Sequence, residues 1–306
     1  MQSQYGLLEE YGGQGMKLRV ATCQFPVSCN IIQNLNYVQR QMRRAKEKGA
    51  HVAHFSEVCL GGYAGVNFDT FHDYDWDLLR QCTEAVMHLA RNLRLWVILG
   101  SNHRLTGNHK PHNSLYVIND NGAIVDRYDK MFCTGSSEDT DGDLKYYSPG
   151  SRLVVFDIKD IRCGLQICHD FRYQELYREY KKLGVQLMLH SYHNGSMTAE
   201  KLKDSGNIWG IIVPPTMQTY AANNYMWISV NNTSSRESSW PNFFVRPDGV
   251  VTGKLARNKP GILMTTVDAT DTFYDASEAW RERAMEGVYH SGTLVCDRRS
   301  GDRTCF

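Results

Sequence analysis

RCGLQICHDFRYQELYREYKKLGVQLMLHSY, residues 162–192, reads as strand, helix, strand. An apolar run closes on Cys168, RYQELYREYKKLG carries a helix, and VQLMLHSY returns as a buried strand. Cys168, His169 and Asp170 stand side by side where the first strand ends, so the stretch is open to three readings: a metal clamp, a Cys/His nucleophile, or a buried strand meeting a polar turn. Successive side chains at a strand end point to opposite faces. Adjacent ligands therefore seldom converge on one ion, and His169 is poorly placed to take a proton from Cys168. A thiol just before the helix of Tyr173 to Lys182 lies near a helix N-terminus, where free N–H groups and the dipole favour a thiolate. On the strand alone, an inert core cysteine remains the plainer alternative.

The same unit recurs along the chain. LRVATCQF is rich in strand formers, and NLNYVQRQMRRAKEKG spaces Leu35, Val38, Met42 and Ala45 as a helix ending at Gly49. HVAHFSEV is the next strand, DLLRQCTEAVMHLARNL the next amphipathic helix, and LWVILG a short apolar strand closed by glycine. NSLYVIND and AIVDRYDK pair through Asn121-Gly122, a strong hairpin signal, and RLVVFDI pairs with RCGLQIC around Lys159-Asp160. After a polar stretch from His193 to Asn207 come a helix near TMQTYAANNY, the strand MWISVNN, a hairpin of FFVRP and GVVTGKL around Asp248-Gly249, and the strand ILMTTVD. Hairpins among strand–helix units predict mixed sheets covered by helices, in one α+β domain over residues 17–268. Residues 1–16, with Gly12, Gly13 and Gly15 before Met16, read as a flexible leader. Residues 269–306 read as an extension and a possible oligomer contact.

With 306 residues, 42% hydrophobic and a net charge of +1, the chain has the composition of a globular protein and lacks the basic surplus of a nucleic-acid binder. No apolar run approaches the roughly 20 residues that span a bilayer, and the N-terminus lacks a secretory layout, so the expectation is a cytoplasmic protein without a membrane partner. The nine cysteines are an odd number with no C-x-x-C pair, and read as reduced thiols.

Two further residues end strands of the same inferred sheet system. Glu57 closes HVAHFSE, where strands feeding helices place ligands, and a carboxylate there is a candidate base for a thiol. Lys130 closes AIVDRYDK and leads into Met131 and Phe132, so its ammonium emerges from apolar surroundings. Each alone reads as a solvated charge; together with Cys168 they are able to converge on one pocket.

VATCQFPVSCN, HFSEVCLGGY around Glu57, RYDKMF around Lys130 and GLQICHDFRYQE around Cys168, in that order, resemble the nitrilase superfamily of carbon–nitrogen hydrolases from about Lys17 to Asp268. The resemblance implies a four-layer α-β-β-α sandwich and a triad of Glu57 as general base, Lys130 as electrostatic stabiliser and Cys168 as nucleophile, with the His169 N–H helping to hold the oxyanion. It implies no metal and no cofactor. The family's second glutamate falls in DGDLKYYSPG, so Asp143 or Glu138 would fill that place. Cys168-His169-Asp170-Phe171-Arg172 is closer to amidases and N-carbamoyl amino acid hydrolases than to nitrile-cleaving members. It implies a small amide or ureido substrate, with Tyr63, His169, Arg172 and Asn194 as substrate contacts and a homodimer or higher homo-oligomer. Arg172 is also able to pair with Glu175 or Glu179. The competing expectations are a nitrilase acting through the same site and a non-catalytic member kept for binding or assembly.

Overall fold

The computed structural model describes residues 17–136 and 138–304; the expected leader lies outside the described residues. Five strands open the chain: β1 (Lys17–Gln24), β2 (Val52–His54), β3 (Trp96–His103), β4 (His112–Ile118) and β5 (Ile124–Asp129). Six more, β6 (Val155–Ile158), β7 (Ile161–Ile167), β8 (Leu187–Ser191), β9 (Trp227–Asn231), β10 (Phe243–Val245) and β11 (Val251–Lys254), form a second sheet in the order β11-β10-β9-β8-β7-β6. The chain then returns through β12 (Gly261–Asp268) to pair antiparallel with β1, which gives the first sheet the order β12-β1-β2-β3-β4-β5. In both sheets the three strands that alternate with helices run parallel, β1-β2-β3 and β7-β8-β9. The hairpin strands flank them antiparallel, so both sheets are mixed, as the sequence predicts.

Helix α1 (Ile31–Glu47) starts where the Asn30 side chain accepts the Gln33 N–H, and α2 (Trp76–Leu93) where Asp75 does the same for Leu78. Val38, Met42 and Ala45 of α1 and Leu79, Val86 and Ala90 of α2 pack on one face of the first sheet with Ala21, Ala53 and Val97. Burying each of the larger side chains contributes about 1.5–3 kcal/mol. Helices α3 (Gln174–Lys182) and α5 (Ile208–Asn224), the latter preceded by the short α4 (Ala199–Asp204), lie over the second sheet; Tyr177, Val213 and Met217 pack there with Met188 and Ile228. Val20, Val52, Ile98 and Val117 of the first sheet meet Leu165, Ile167, Leu187 and Leu189 of the second in a core between the sheets. The layers are therefore α, β, β, α.

The space between the sheets is not wholly apolar. His54 of β2 bonds Ser229 of β9 through Nδ1 and Ser191 of β8 through Nε2, each at 2.9 Å, and Ser229 reaches Thr22 of β1 at 2.8 Å. Every member is fully buried and partnered, so the seam fixes which strand faces which at little cost in unpaired groups.

Three sequence expectations are corrected. β2 stops at His54, so Glu57 sits in the turn beyond the strand. The second-sheet helix begins at Ile208, well before TMQTYAANNY, and runs through Pro214 and Pro215. The polar stretch after His193 holds α4, capped by the Thr198 hydroxyl on the Lys201 N–H. Beyond residue 268 the chain carries two short helices, α6 (Arg281–Met285) and α7 (Arg298–Gly301), with Tyr274, Tyr289, Leu294 and Val295 strongly exposed. Among the described residues no helix is long and apolar enough to cross a membrane.

Candidate active site

β7 ends at Ile167, and the chain breaks into a single 3₁₀ turn, Cys168–Arg172, before α3 begins. Cys168 thus heads this turn, between the strand and the helix as the sequence predicts, and the turn separates it from the N-terminus of α3. Its φ of 43° lies in the left-handed region that non-glycine residues rarely adopt, and it lifts the side chain out of the strand's alternation. The Cys168 thiol is half-buried, and the groups acting on it are Glu57, Lys130, Asp143 and the backbone N–H of His193.

Glu57 is fully buried. Its Oε1 accepts from Lys130 Nζ at 2.9 Å and from Asn113 Nδ2 at 2.7 Å, and its Oε2 accepts the His193 N–H at 2.8 Å. The turn that carries it packs against β3 at Gly100, where a Cβ would come within 2.1 Å of the Ser56 carbonyl oxygen and 2.6 Å of the Val58 nitrogen. Only glycine allows that approach.

Lys130 follows β5 directly, its N–H donating to the Asn113 carbonyl at 2.9 Å. Its ammonium also donates to Asp143 Oδ2 at 2.7 Å and to the Tyr63 hydroxyl at 3.2 Å, and Tyr63 in turn donates to Asp143 Oδ1 at 2.6 Å. Burial works against this ammonium, yet Asp143 and then Glu57 hold its pKa well above the ordinary value. Burial likewise opposes the Asp143 carboxylate, and Lys130 together with the Tyr63 and Thr134 hydrogen bonds outweighs it, leaving the group below the usual range. Asp143 reaches Lys130 despite its short side chain because Gly142, with φ of 55°, starts a 3₁₀ turn at Asp143–Lys145, and the Asp143 N–H bonds the Thr134 hydroxyl. Glu138, the alternative candidate, is exposed; Asp143 is the acid that meets Lys130.

Burial first, and the Glu57 charge next, push the Cys168 thiol well above its ordinary pKa, with Lys130 pulling the other way. The resting sulfur is a thiol with a carboxylate base close by, not a free thiolate. The His169 ring turns to Tyr173, edge-on at 5.9 Å, and burial lowers its pKa. Among the described residues no hydrogen bond joins that ring to Cys168.

Of the expected substrate contacts, Tyr63 is buried and uses its hydroxyl within the ion cluster. Arg172 is exposed, its guanidinium 5.0 Å from the Phe171 ring and 4.7 Å from the Trp209 ring. Among the described residues it makes no ion pair with Glu175 or Glu179, and Glu179 pairs instead with Lys182 at 2.8 Å. Asn194 is pinned through its backbone to the Asn232 side chain, at 2.7 and 3.0 Å.

The sequence reading passed over Asn113 and His193, which with Lys130 are the donors to Glu57. Neither carries a local signal: Asn113 opens a strand pattern, and His193 acts through its backbone. Burial pushes the His193 imidazole down to about 4, so it is neutral at pH 7.

This fold is shared with an amidase from Nesterenkonia sp., at a TM-score of 0.71 and 18% identity, covering 88% of this chain and 95% of that one. In a variant of that amidase the acetamide moiety of fluoroacetamide is added covalently at the active-site cysteine. An omega-amidase of Xenopus tropicalis is 27% identical over 179 residues, 57% of this chain and 63% of the relative. A deaminated glutathione amidase of Dictyostelium discoideum is 26% identical over 198 residues, 60% of this chain and 64% of the relative. The match thus spans a little under two thirds of these relatives. Residues 19–273, which hold every side chain of the ion cluster and the cysteine, match the sequence model of the carbon–nitrogen hydrolases, and the chain belongs to that family.

Proposed function

We propose that this protein is a thiol amidohydrolase that cleaves the carbon–nitrogen bond of a small linear amide or N-carbamoyl compound. The observation that carries the reading is the buried ion cluster in which Lys130 bridges Glu57 and Asp143 while all three charges act on the Cys168 thiol. The names of the relatives, all amidases, agree with it.

In the proposed reaction Glu57 takes the thiol proton as the sulfur attacks the carbonyl carbon. The charge that develops on oxygen faces the Lys130 ammonium and the N–H groups at the head of the Cys168 turn. Glu57 then gives its proton to the departing nitrogen, the C–N bond breaks, and an amine or ammonia leaves a thioester on Cys168. Water attacks that thioester with Glu57 again as base, and the acid departs as the thiol re-forms. Lys130 stays protonated throughout, since Asp143 holds its charge while Glu57 carries a proton. Arg172, exposed on the same turn, is the cation offered to a substrate carboxylate, able to bind it bidentately.

Cys168→Ala tests the reading. Ammonia release should be measured on matched amide, N-carbamoyl and nitrile substrates, with thermal unfolding alongside. The expected result is turnover of amide or carbamoyl substrates by the wild type, none by the variant, and an unchanged unfolding transition. A variant that still releases ammonia at the wild-type rate would sink the proposal.

A further inference from the structure

The buried carboxyl of Asp170 takes no part in the chemistry above, yet it is fully enclosed and triply bonded. Its Oδ1 accepts the Phe132 N–H at 2.8 Å; its Oδ2 accepts the Ile167 N–H at 3.0 Å and the Tyr128 hydroxyl at 2.8 Å. Tyr128 and Phe132 lie two residues either side of Lys130, and Ile167 immediately precedes Cys168. Tyr128 lies on β5 at the edge of the first sheet, Phe132 in the bend that follows it, and Ile167 at the end of β7 in the second sheet. Among the described residues the bonds from Tyr128 and Phe132 are the hydrogen bonds that join segment 128–132 to segment 167–172, while the Ile167 bond ties the carboxylate to the residue before Cys168.

We propose that Asp170 is a positioning residue that sets the Lys130 ammonium against the Cys168 thiol by clamping both chains to one carboxylate. The clamp rests on the amidohydrolase reading for its consequence in turnover, but its effect on the thiol is open to measurement without a substrate. Three donors converge on Asp170 and suit the acceptor-only ionised carboxylate; protonation adds a donor among them, so the Tyr128 hydroxyl has to turn from donating to accepting.

The groups facing Asp170 leave it as the member of its cluster that changes charge near pH 6. Burial pushes its own pKa up to about 6, against the bonds from Phe132, Ile167 and Tyr128. Tyr128 on β5, Tyr177 and Tyr180 on α3 and Tyr192 after β8 are all raised by burial. Cys133 is pushed to about 12 and Lys130 is held charged. The clamp is therefore closed at neutral pH and loosens in mild acid.

The experiment uses the full chain as Asp170→Asn and Asp170→Glu. It reads the rate of Cys168 alkylation by iodoacetamide across pH 5 to 8, kcat and KM on the best small amide, and thermal unfolding. Asparagine keeps the shape but turns an N–H toward Ile167. The expected result is a kcat lower by about 100-fold at a KM within about threefold, the size a small misplacement of reacting groups costs. The wild-type alkylation step near pH 6 should also vanish in Asp170→Asn. Glutamate keeps the charge and the acid step but shifts the turn, so it should lower kcat while preserving that step. A folded Asp170→Asn with wild-type kcat and an unaltered alkylation profile overturns the clamp. So does failure of both variants to fold, which would assign Asp170 to stability alone. If the wild type releases no ammonia from any amide, the function reading fails, and the alkylation step, present in the wild type and lost in Asp170→Asn, still supports the clamp.

Discussion

Lys130 is the residue on which the site turns, because a fully buried ammonium is tolerated only where carboxylates repay its desolvation. It has two, and they differ in duty. In the proposed reaction Glu57 gives and takes protons, so Asp143, which no step of it uses, is left to hold the lysine's charge. Asp143→Asn removes that second charge while keeping the shape, and Lys130 then leans on Glu57 alone. A base committed to a tight ion pair is a poor base, so kcat should fall by about 100-fold, at the low end of what general-base catalysis contributes. Breaking one arm of a buried pair should also cost about 3 kcal/mol of stability. Ammonia-release kinetics and urea unfolding read the two effects separately, and a variant within threefold of wild-type kcat would remove Asp143 from the scheme.

Elements place these residues through contacts that local sequence does not spell out. LWVILG is legible as a buried strand closed by glycine, but Gly100 matters because the Glu57 turn lies directly on it, with the Leu60 N–H bonding its carbonyl at 3.0 Å. Gly100→Ala should push that turn off β3 and lower kcat at least 10-fold, with about 1–3 kcal/mol of overpacking. Gly107→Ala, at a position with nothing within 4 Å, should cost only backbone strain and leave kcat alone. Equal effects of the two on kcat would show that the close approach at Gly100 is not what positions Glu57. The same contrast explains what was legible. The hairpins at Asn121-Gly122, Lys159-Asp160 and Asp248-Gly249 were readable because turn chemistry is local: Gly122, Lys159, Asp160 and Gly249 all take the positive φ such turns require. Glu57, Lys130 and Cys168 were readable as candidates because each closely follows a strand. Helix α5 was cut short because Pro214-Pro215 spells a break; the helix absorbs it with Ile211, whose carbonyl Pro215 leaves without its helical donor, on the exposed side. Asn113, His193, Tyr128 and Phe132 act on residues far away in sequence, and no local pattern marks them.

Across the whole molecule, the seam that holds the sheets face to face is also its acid weakness. His54 is kept neutral by burial, its pKa down to about 3, and His190 and His193 are held at about 3 and about 4 for the same reason. In the unfolded chain each has the ordinary value near 6.5, so below that pH the unfolded state binds about three protons that the fold refuses. Stability is therefore full above about pH 7 and is lost as pH falls from about 6.5 toward 4. Asp170 works the other way: raised to about 6, it binds a proton in the fold that the unfolded chain takes up only near 4, which leaves a net difference of about two protons around pH 5. Asp143, held below the usual range, adds its own loss only in stronger acid. Summed between pH 7 and pH 5, these groups cost on the order of 4 kcal/mol. His103, half-buried and near 4, adds in the same direction with a smaller weight for its exposure. Urea unfolding at half-unit steps of pH should show this fall, and His54→Gln should flatten it by about 1.4 kcal/mol per pH unit below pH 6, whatever the variant's stability at pH 7. An unchanged slope in that variant would mean that His54 takes up its proton within the fold, and that the seam between the sheets opens to water before the molecule unfolds.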